Sequence, residues 1–152
     1  MVAVQHAAWQ EAFIPILPPE FLMFDPEAFA PRLAESMSSE GVSSVIASES
    51  ATPLGWITFG ANRDADADSS TGEVRAIFVH PDVWRHGVGA ALLDTALEGL
   101  ARTGYRAATL WSFFDNERAN AFYERHGFSR DGAEQRREFS AGALEVRLRR
   151  AL

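Results

Sequence analysis

The chain has no cysteine and no lysine among its 152 residues; all 14 of its basic residues are arginine. Without cysteine there is no disulfide, no thiolate metal site and no cysteine nucleophile. Without lysine there is no Gly-Lys-Ser/Thr end to a Walker phosphate loop. No apolar run approaches the about 18 residues of a membrane-spanning helix. The opening MVAVQHAAWQEAF has neither a basic leader region nor a cleavage pattern, so a cytoplasmic protein is expected. A net charge of −7 argues against a nucleic-acid partner, which needs a basic footprint. His80, His86 and His126 fit no metal-ligand spacing, and no metal is expected. A G-x-S-x-G elbow is also missing, which disfavours a serine acyl-enzyme.

What remains reads as one globular domain over residues 1–152, 47% hydrophobic and long enough for a proper core. Its charge is uneven. Residues 1–72 hold 10 acids and 2 arginines, whereas residues 73–152 hold 11 acids and 12 arginines. An acidic half can draw a cation to one side of a site or simply aid solubility. DADADS, near residues 64–69, departs from a calcium loop at Ser69 and Arg75, where Gly and Glu are required, and reads as a solvated turn.

Periodicity predicts a helix over 3–13, a break at the prolines near 15–19, and a second helical region interrupted near Pro26 and Pro31 and ending about Met37. Strands follow at 42–49, 54–61 and 73–79, then a helix over 88–102 with Leu93, Ala96, Leu97 and Leu100 in step. A strand at 106–114, a helix from Asn116 to His126 ended by Gly127, and two strands around 134–139 and 143–149 complete the chain. The order predicts an α/β (α+β sandwich-like) fold, a mixed sheet flanked by helices.

The segment IFVHPDVWRHGVGAALL (77–93) places Gly87 and Gly89 between the end of a strand and the start of a helix. Glycines there let a ligand approach the backbone, and the helix start offers unpaired N–H groups to an anion. A dinucleotide fingerprint fails because Leu92 holds the third glycine position and seven residues separate the strand from Gly87. The segment resembles the central motif of the GNAT (Gcn5-related) N-acetyltransferases, a strand, V-x-P, then R/Q-x-x-G-x-G/A. NERANAFYERHGF (116–128) resembles the same family's N-x-x-A-x-x-F/L-Y-x-x-x-G-F block, with Asn116, Ala119, Phe122, Tyr123, Gly127 and Phe128 in register. AAWQEAFIPILPPEFL (7–22) and the closing EVRLRRAL are similar to a common bacterial subgroup, so the likeness covers nearly the whole chain. One departure is Trp84, standing where the family has Arg or Gln and leaving Arg85 to take that contact.

The resemblance implies the GNAT fold, with a mixed, mostly antiparallel sheet, and an acetyl-CoA-dependent N-acetyltransferase acting on a primary amine of a small molecule or peptide. The family's usual first strand is missing: either the start is truncated or the sheet lacks that edge, and a homodimer partner is one way to supply it. Backbone amides of Arg85, His86, Gly87, Val88, Gly89 and Ala90 are implied to hold the CoA pyrophosphate, and Ile77, Phe78 and Val79 to pair with the pantetheine arm. Asn116 is implied to bond CoA, or it is the N-cap of its helix. Tyr123 is implied to protonate the departing thiolate; the alternative is a packed ring. Glu73 is implied to be the base, its pKa raised by burial; a water chain or a plain solvated charge are the alternatives. Trp9, Phe13, the Ile14–Phe24 segment, Trp111, Phe113, Phe114 and Phe139 are candidate acceptor walls, with Glu20, Asp25 and Glu27 favouring a cationic acceptor. A non-catalytic acyl-CoA-binding module is the rival function.

Overall fold

The computed structural model describes residues 1–152. Helix α1 (Val2–Phe13) leads into the short α2 (Pro19–Leu22) and α3 (Pro26–Ser38). Strands β1 (Val42–Glu49), β2 (Thr52–Ala61) and β3 (Thr71–Val79) follow, then α4 (Val88–Arg102), β4 (Ala107–Phe113), α5 (Glu117–Arg125), β5 (Ser129–Arg136) and β6 (Leu144–Ala151). The six strands form one sheet in the order β1-β2-β3-β4-β6-β5. Every neighbouring pair is antiparallel except β3 and β4. No strand precedes α1, and β1 is an edge of the sheet. No helix is long and apolar enough to cross a membrane.

Local chemistry accounts for most element ends. Asp25 caps α3, its Oδ1 accepting the Glu27 N–H at 2.9 Å, and Pro26 takes the first helical position, where a missing N–H is harmless. The interruption expected at Pro31 does not occur, because α3 runs through it. The carbonyl that loses its partner there belongs to Glu27, which is exposed and open to water. Ala141 and Gly142 both adopt left-handed conformations, making the turn expected before β6. The strand expected at 134–139 instead begins at Ser129 and ends at Arg136, with a 3₁₀ turn over Glu138–Ser140. Its ladder with β6 is broken between Arg130 and Glu134, where Asp131–Ala133 bulge outward, and that interruption hides the strand's period.

The two faces of the sheet are covered differently. On one, Leu92, Leu93, Ala96, Leu97 and Leu100 of α4 pack with Ile57, Phe59, Val74, Leu110 and Leu148. Gly99 permits this approach, since a Cβ there would lie 2.7 Å from the Phe59 ring. On the other face, Val4 of α1 and Leu33 of α3 bury Trp56. A third cluster joins Leu17 and Leu22 to Phe113 at the end of β4.

Most consequential is how β3 meets β4. They pair over only three rungs, Thr71–Ala107, Gly72–Ala108 and Glu73–Thr109, and then part. Arg75 is the extra residue of a bulge in β3, since Phe59 faces Val74 while the adjacent Thr58 faces Ala76. Beyond the parting, β3 stays paired to β2 and β4 to β6, so a cleft opens between their facing edges.

Leu93 is fully buried in the main cluster. Its replacement by alanine is expected to cost about 2–5 kcal/mol in urea unfolding, with the sheet topology unchanged.

Candidate active site

The cleft has a volume of about 1050 Å³ and is lined from β3, β4, α1, α4, α5 and the turn before β6. At its α4 end, Gly87 stands as the N-cap with φ +86° and Arg85 also has positive φ, +67°. His86 N–H returns to the Val83 carbonyl at 3.3 Å, and Ala91 N–H to Gly87 at 3.0 Å. The amides of Arg85, Gly87, Val88, Gly89 and Ala90 have no partner in the chain. Five of the six expected amides are therefore available, and His86 is the one engaged. A Cβ on Gly89 would meet Phe122 and Val79 only at ordinary contact distances, so the bare Cα is not demanded by packing within the chain.

Trp84 does not stand in for a phosphate-binding arginine. Its indole N–H donates to the Val79 carbonyl at 2.8 Å, tying the loop to the end of β3. The Arg118 guanidinium lies 3.4 Å above the Trp84 ring, a cation–π contact. Ile77, Phe78 and Val79 lie past the last rung shared with β4 and have a strand neighbour on one side only.

Asn116 caps α5, its Oδ1 accepting the Ala119 N–H at 3.2 Å, and lines the cleft. Tyr123 is 9% exposed, lines the cleft, and its hydroxyl makes no hydrogen bond within the chain. Burial pushes the phenol well above its ordinary value, so it holds its proton throughout the neutral range. Phe122 stacks edge-on against it, and α5 is tied to the end of β4 by Asn120, which donates to the carbonyls of Phe113 and Phe114.

Glu73 sits at the last rung before the strands part, 3% exposed. Its carboxylate is not free. Arg63 Nε reaches one oxygen at 2.9 Å and Nη2 the other at 2.7 Å, a bidentate fork, and the Arg63 N–H adds a bond at 3.3 Å. Glu73 is therefore not a lone buried carboxylate: the Arg63 guanidinium engages both of its oxygens in charge-assisted bonds.

The loop carrying Arg63 crosses to the far wall. Asn62 donates to Thr109 at 2.6 Å, and Trp111 donates to Asp64. Arg147 of β6 binds Asp64, Asp66 and Asp131, which raises its pKa further. DADADS is therefore an anchored strap rather than a solvated turn. Sequence reading missed this because Arg147 lies some eighty positions away, and nothing local marks it as the partner.

Aromatic walls come from Trp9, Phe13, Phe78, Trp111, Phe113 and Phe139. Phe114 and the Ile14–Phe24 segment do not line the cleft. Neither do Glu20, Asp25 and Glu27, which are exposed on α2, before α3 and on its first turn. The charges that do line it are six arginines and three glutamates, opposite to the cationic-acceptor expectation. No group of three or more His, Asp or Glu side chains is placed to hold a metal ion.

Comparison with known proteins adds that residues 7–128 match the sequence model of the acetyltransferase (GNAT) family. The chain belongs to that family. This GNAT chain is 27% identical over 135 residues to a protein named Probable N-acetyltransferase in Mycobacterium tuberculosis, covering 87% of the chain and 74% of that protein. It is 34% identical over 130 residues to the mycothiol acetyltransferase of Propionibacterium freudenreichii, covering 85% of the chain but only 39% of that protein. An uncharacterized N-acetyltransferase of Methanocaldococcus jannaschii is 34% identical over 77 residues, 50% of the chain and 34% of that protein. The chain thus spans about a third of the length of some curated relatives it matches. Among solved structures, the PaiA N-acetyltransferase of Thermoplasma acidophilum, in complex with coenzyme A, superposes with TM-score 0.77 at 16% identity, covering 99% of this chain and 90% of that one. The GNAT fold, six strands with a mostly antiparallel order, agrees with the sequence reading.

Burial of Tyr123 has a pH consequence. An ordinary phenol is half-ionised near pH ~10; the folded chain holds this proton longer, so above that pH the unfolded state binds fewer protons and stability falls as pH rises. Below pH ~10 the group contributes no pH dependence. Urea unfolding between pH 9 and 11 is expected to fall less steeply in Tyr123→Phe than in the wild type.

Proposed function

We propose that the protein transfers an acetyl group from acetyl-CoA to a primary amine of a small molecule or peptide, by direct attack of the amine on the thioester. The observation that carries this reading is the parted β3–β4 pair. It leaves an extended strand edge, with five free amides at the start of α4, in a cleft that Tyr123 also lines. An arm with amide groups can add to such an edge, and a pyrophosphate suits convergent N–H groups at a helix start. The residues present fit that co-substrate: nothing in the chain competes for those amides, and Gly89 offers no side chain to block them.

In this reading Ile77, Phe78 and Val79 orient the arm through main-chain bonds, and Asn116 presents its amide nitrogen beside it while its oxygen caps α5. The amides of Arg85, Gly87, Val88, Gly89 and Ala90 hold the phosphates, while that of His86 is engaged within the turn. Bound acetyl-CoA supplies the activated acyl group. The amine nitrogen forms the new C–N bond as the C–S bond breaks, and Tyr123 donates its proton to the departing sulfur. The raised pKa of Tyr123 supports this role by keeping the donor loaded. The attacking amine must lose protons of its own. Because Arg63 occupies both oxygens of Glu73, the geometry favours release through water ordered beside that pair over direct transfer to Glu73.

Calorimetry with acetyl-CoA tests the reading. Wild type and Tyr123→Phe are expected to bind in the micromolar range, and Gly89→Trp to lose binding while remaining folded. In thiol-release assays with amines, Tyr123→Phe is expected to lower kcat about 10²–10⁴-fold, the usual worth of a positioned acid. Binding without thiol release for any amine would favour the acyl-CoA-binding module instead. Glu73→Gln separates the two base schemes. A loss under tenfold with an unchanged acid limb of the pH profile supports water, whereas a larger loss that abolishes the limb makes Glu73 the base.

A further inference from the structure

We propose that the acceptor end of the cleft is a carboxylate site built on Arg75, so that the amine substrate is an amino-acid-like molecule with an apolar body. The substrate class rests on the acetyl-transfer reading; the anion site rests on the arrangement of charges alone. Two of the three glutamates in the lining, Glu73 and Glu145, already pair with an arginine. Arg63 forks onto Glu73. Arg137 Nε lies 3.3 Å from Glu145, whose two oxygens also accept from Gln135 and Ser140. Glu11, exposed on α1, is the third and makes no ion pair.

Arg75 has no such partner. It donates one N–H, from Nη2, to the Ala61 carbonyl at 3.0 Å, and its Nε is buried without any partner. Burial and the nearby Arg63 charge both disfavour its charged form, and Glu73 and Tyr105 offset them only in part. An arginine presents five donors and stays charged, so most of this one's hydrogen-bonding capacity is unmet by the protein. The chain as a whole is strongly acidic, so an uncompensated cation on a cleft wall is not a product of composition. Position points the same way. Arg75 is the bulge residue of β3, two places past Glu73, where the strands have just parted. A bulge re-aims a side chain that regular pleating would place elsewhere.

An acceptor with a second ammonium would find Glu73 and Glu145 already taken by arginine. A carboxylate would find the unmet guanidinium and form the planar, charge-assisted pair for which that group is suited. The remaining surface is aromatic, with Trp9 and Phe78 on one side and Trp111 and Phe113 on the other, which suits an apolar body.

The test is calorimetric binding, with and without saturating CoA, of N-acetyl-phenylalanine, N-acetyl-leucine and N-acetylglycine, each beside its neutral amide. At least one carboxylate is expected to bind tenfold or more tightly than its amide. Arg75→Gln is expected to remove that difference by weakening the carboxylate alone, Arg75→Lys to restore part of it, and acetyl-CoA affinity to stay the same in all three proteins. Equal binding of every acid and amide pair to the wild type would overturn the proposal, as would an Arg75→Gln variant that weakens acids and amides alike. Carboxylate selectivity in a protein that binds no acetyl-CoA would leave the Arg75 site standing and remove the transferase reading instead.

Discussion

Everything in this molecule that bears on chemistry depends on two parallel strands separating after three rungs. A continuous β3–β4 ladder would satisfy the facing N–H and C=O groups and leave no cleft. Here the outer edges of both strands are held by antiparallel partners while the inner edges diverge. Those inner groups must be met by solvent or by an extended ligand. The divergence is propped rather than loose. Below it, the strap from Asn62 to Asp66 spans both strands through Glu73, Thr109 and Trp111. Above it, Trp9 meets Phe78, and Phe13 meets Phe113 edge-on at 5.0 Å, so α1 touches both walls. At the side, α5 holds the end of β4 through Asn120.

The strap explains why so many charges lie in and around the cleft. Its ion pairs join residues distant in sequence, Arg63 to Glu73 and Arg147 to Asp64, Asp66 and Asp131. Surface pairs of this kind contribute little to stability, but a carboxylate as buried as Glu73 cannot lose its partner cheaply. The Arg63–Glu73 fork therefore fixes the strap at the apex of the cleft as much as it sets the charge there.

How much of this was legible in the sequence differs by region for physical reasons. The α4 and α5 segments could be read closely, because periodicity, glycine placement and capping are local signals; α4 begins and ends where the pattern predicts. The order of elements was readable for the same reason. The start of β5 was not, since a three-residue bulge destroys its alternation. Within the site, sequence reading named the residues at the α4 end and Tyr123 but gave Glu73 no partner. Arg63 lies in a polar loop that looks like solvent-facing surface, and only the folded chain brings it to the strand. Glu20, Asp25 and Glu27 were assigned to the acceptor because the resemblance places that pocket against the first helices. The helices turn them outward.

Residues 1–24 make no hydrogen bond to the sheet; α1 and α2 rest on it through apolar and aromatic contacts alone. The α4 end of the cleft, by contrast, is fixed by backbone conformation, with Gly87 and the indole of Trp84 locking the turn. Apolar contact is non-directional and tolerates volume-conserving exchange, whereas left-handed backbone and bonded carbonyls do not. The two ends of the cleft are therefore unequal in their freedom to vary. Mutation can tilt the roof and reshape the pocket beneath it while the amide-lined end stays as it is, so the two ends of one cleft can diverge at different rates.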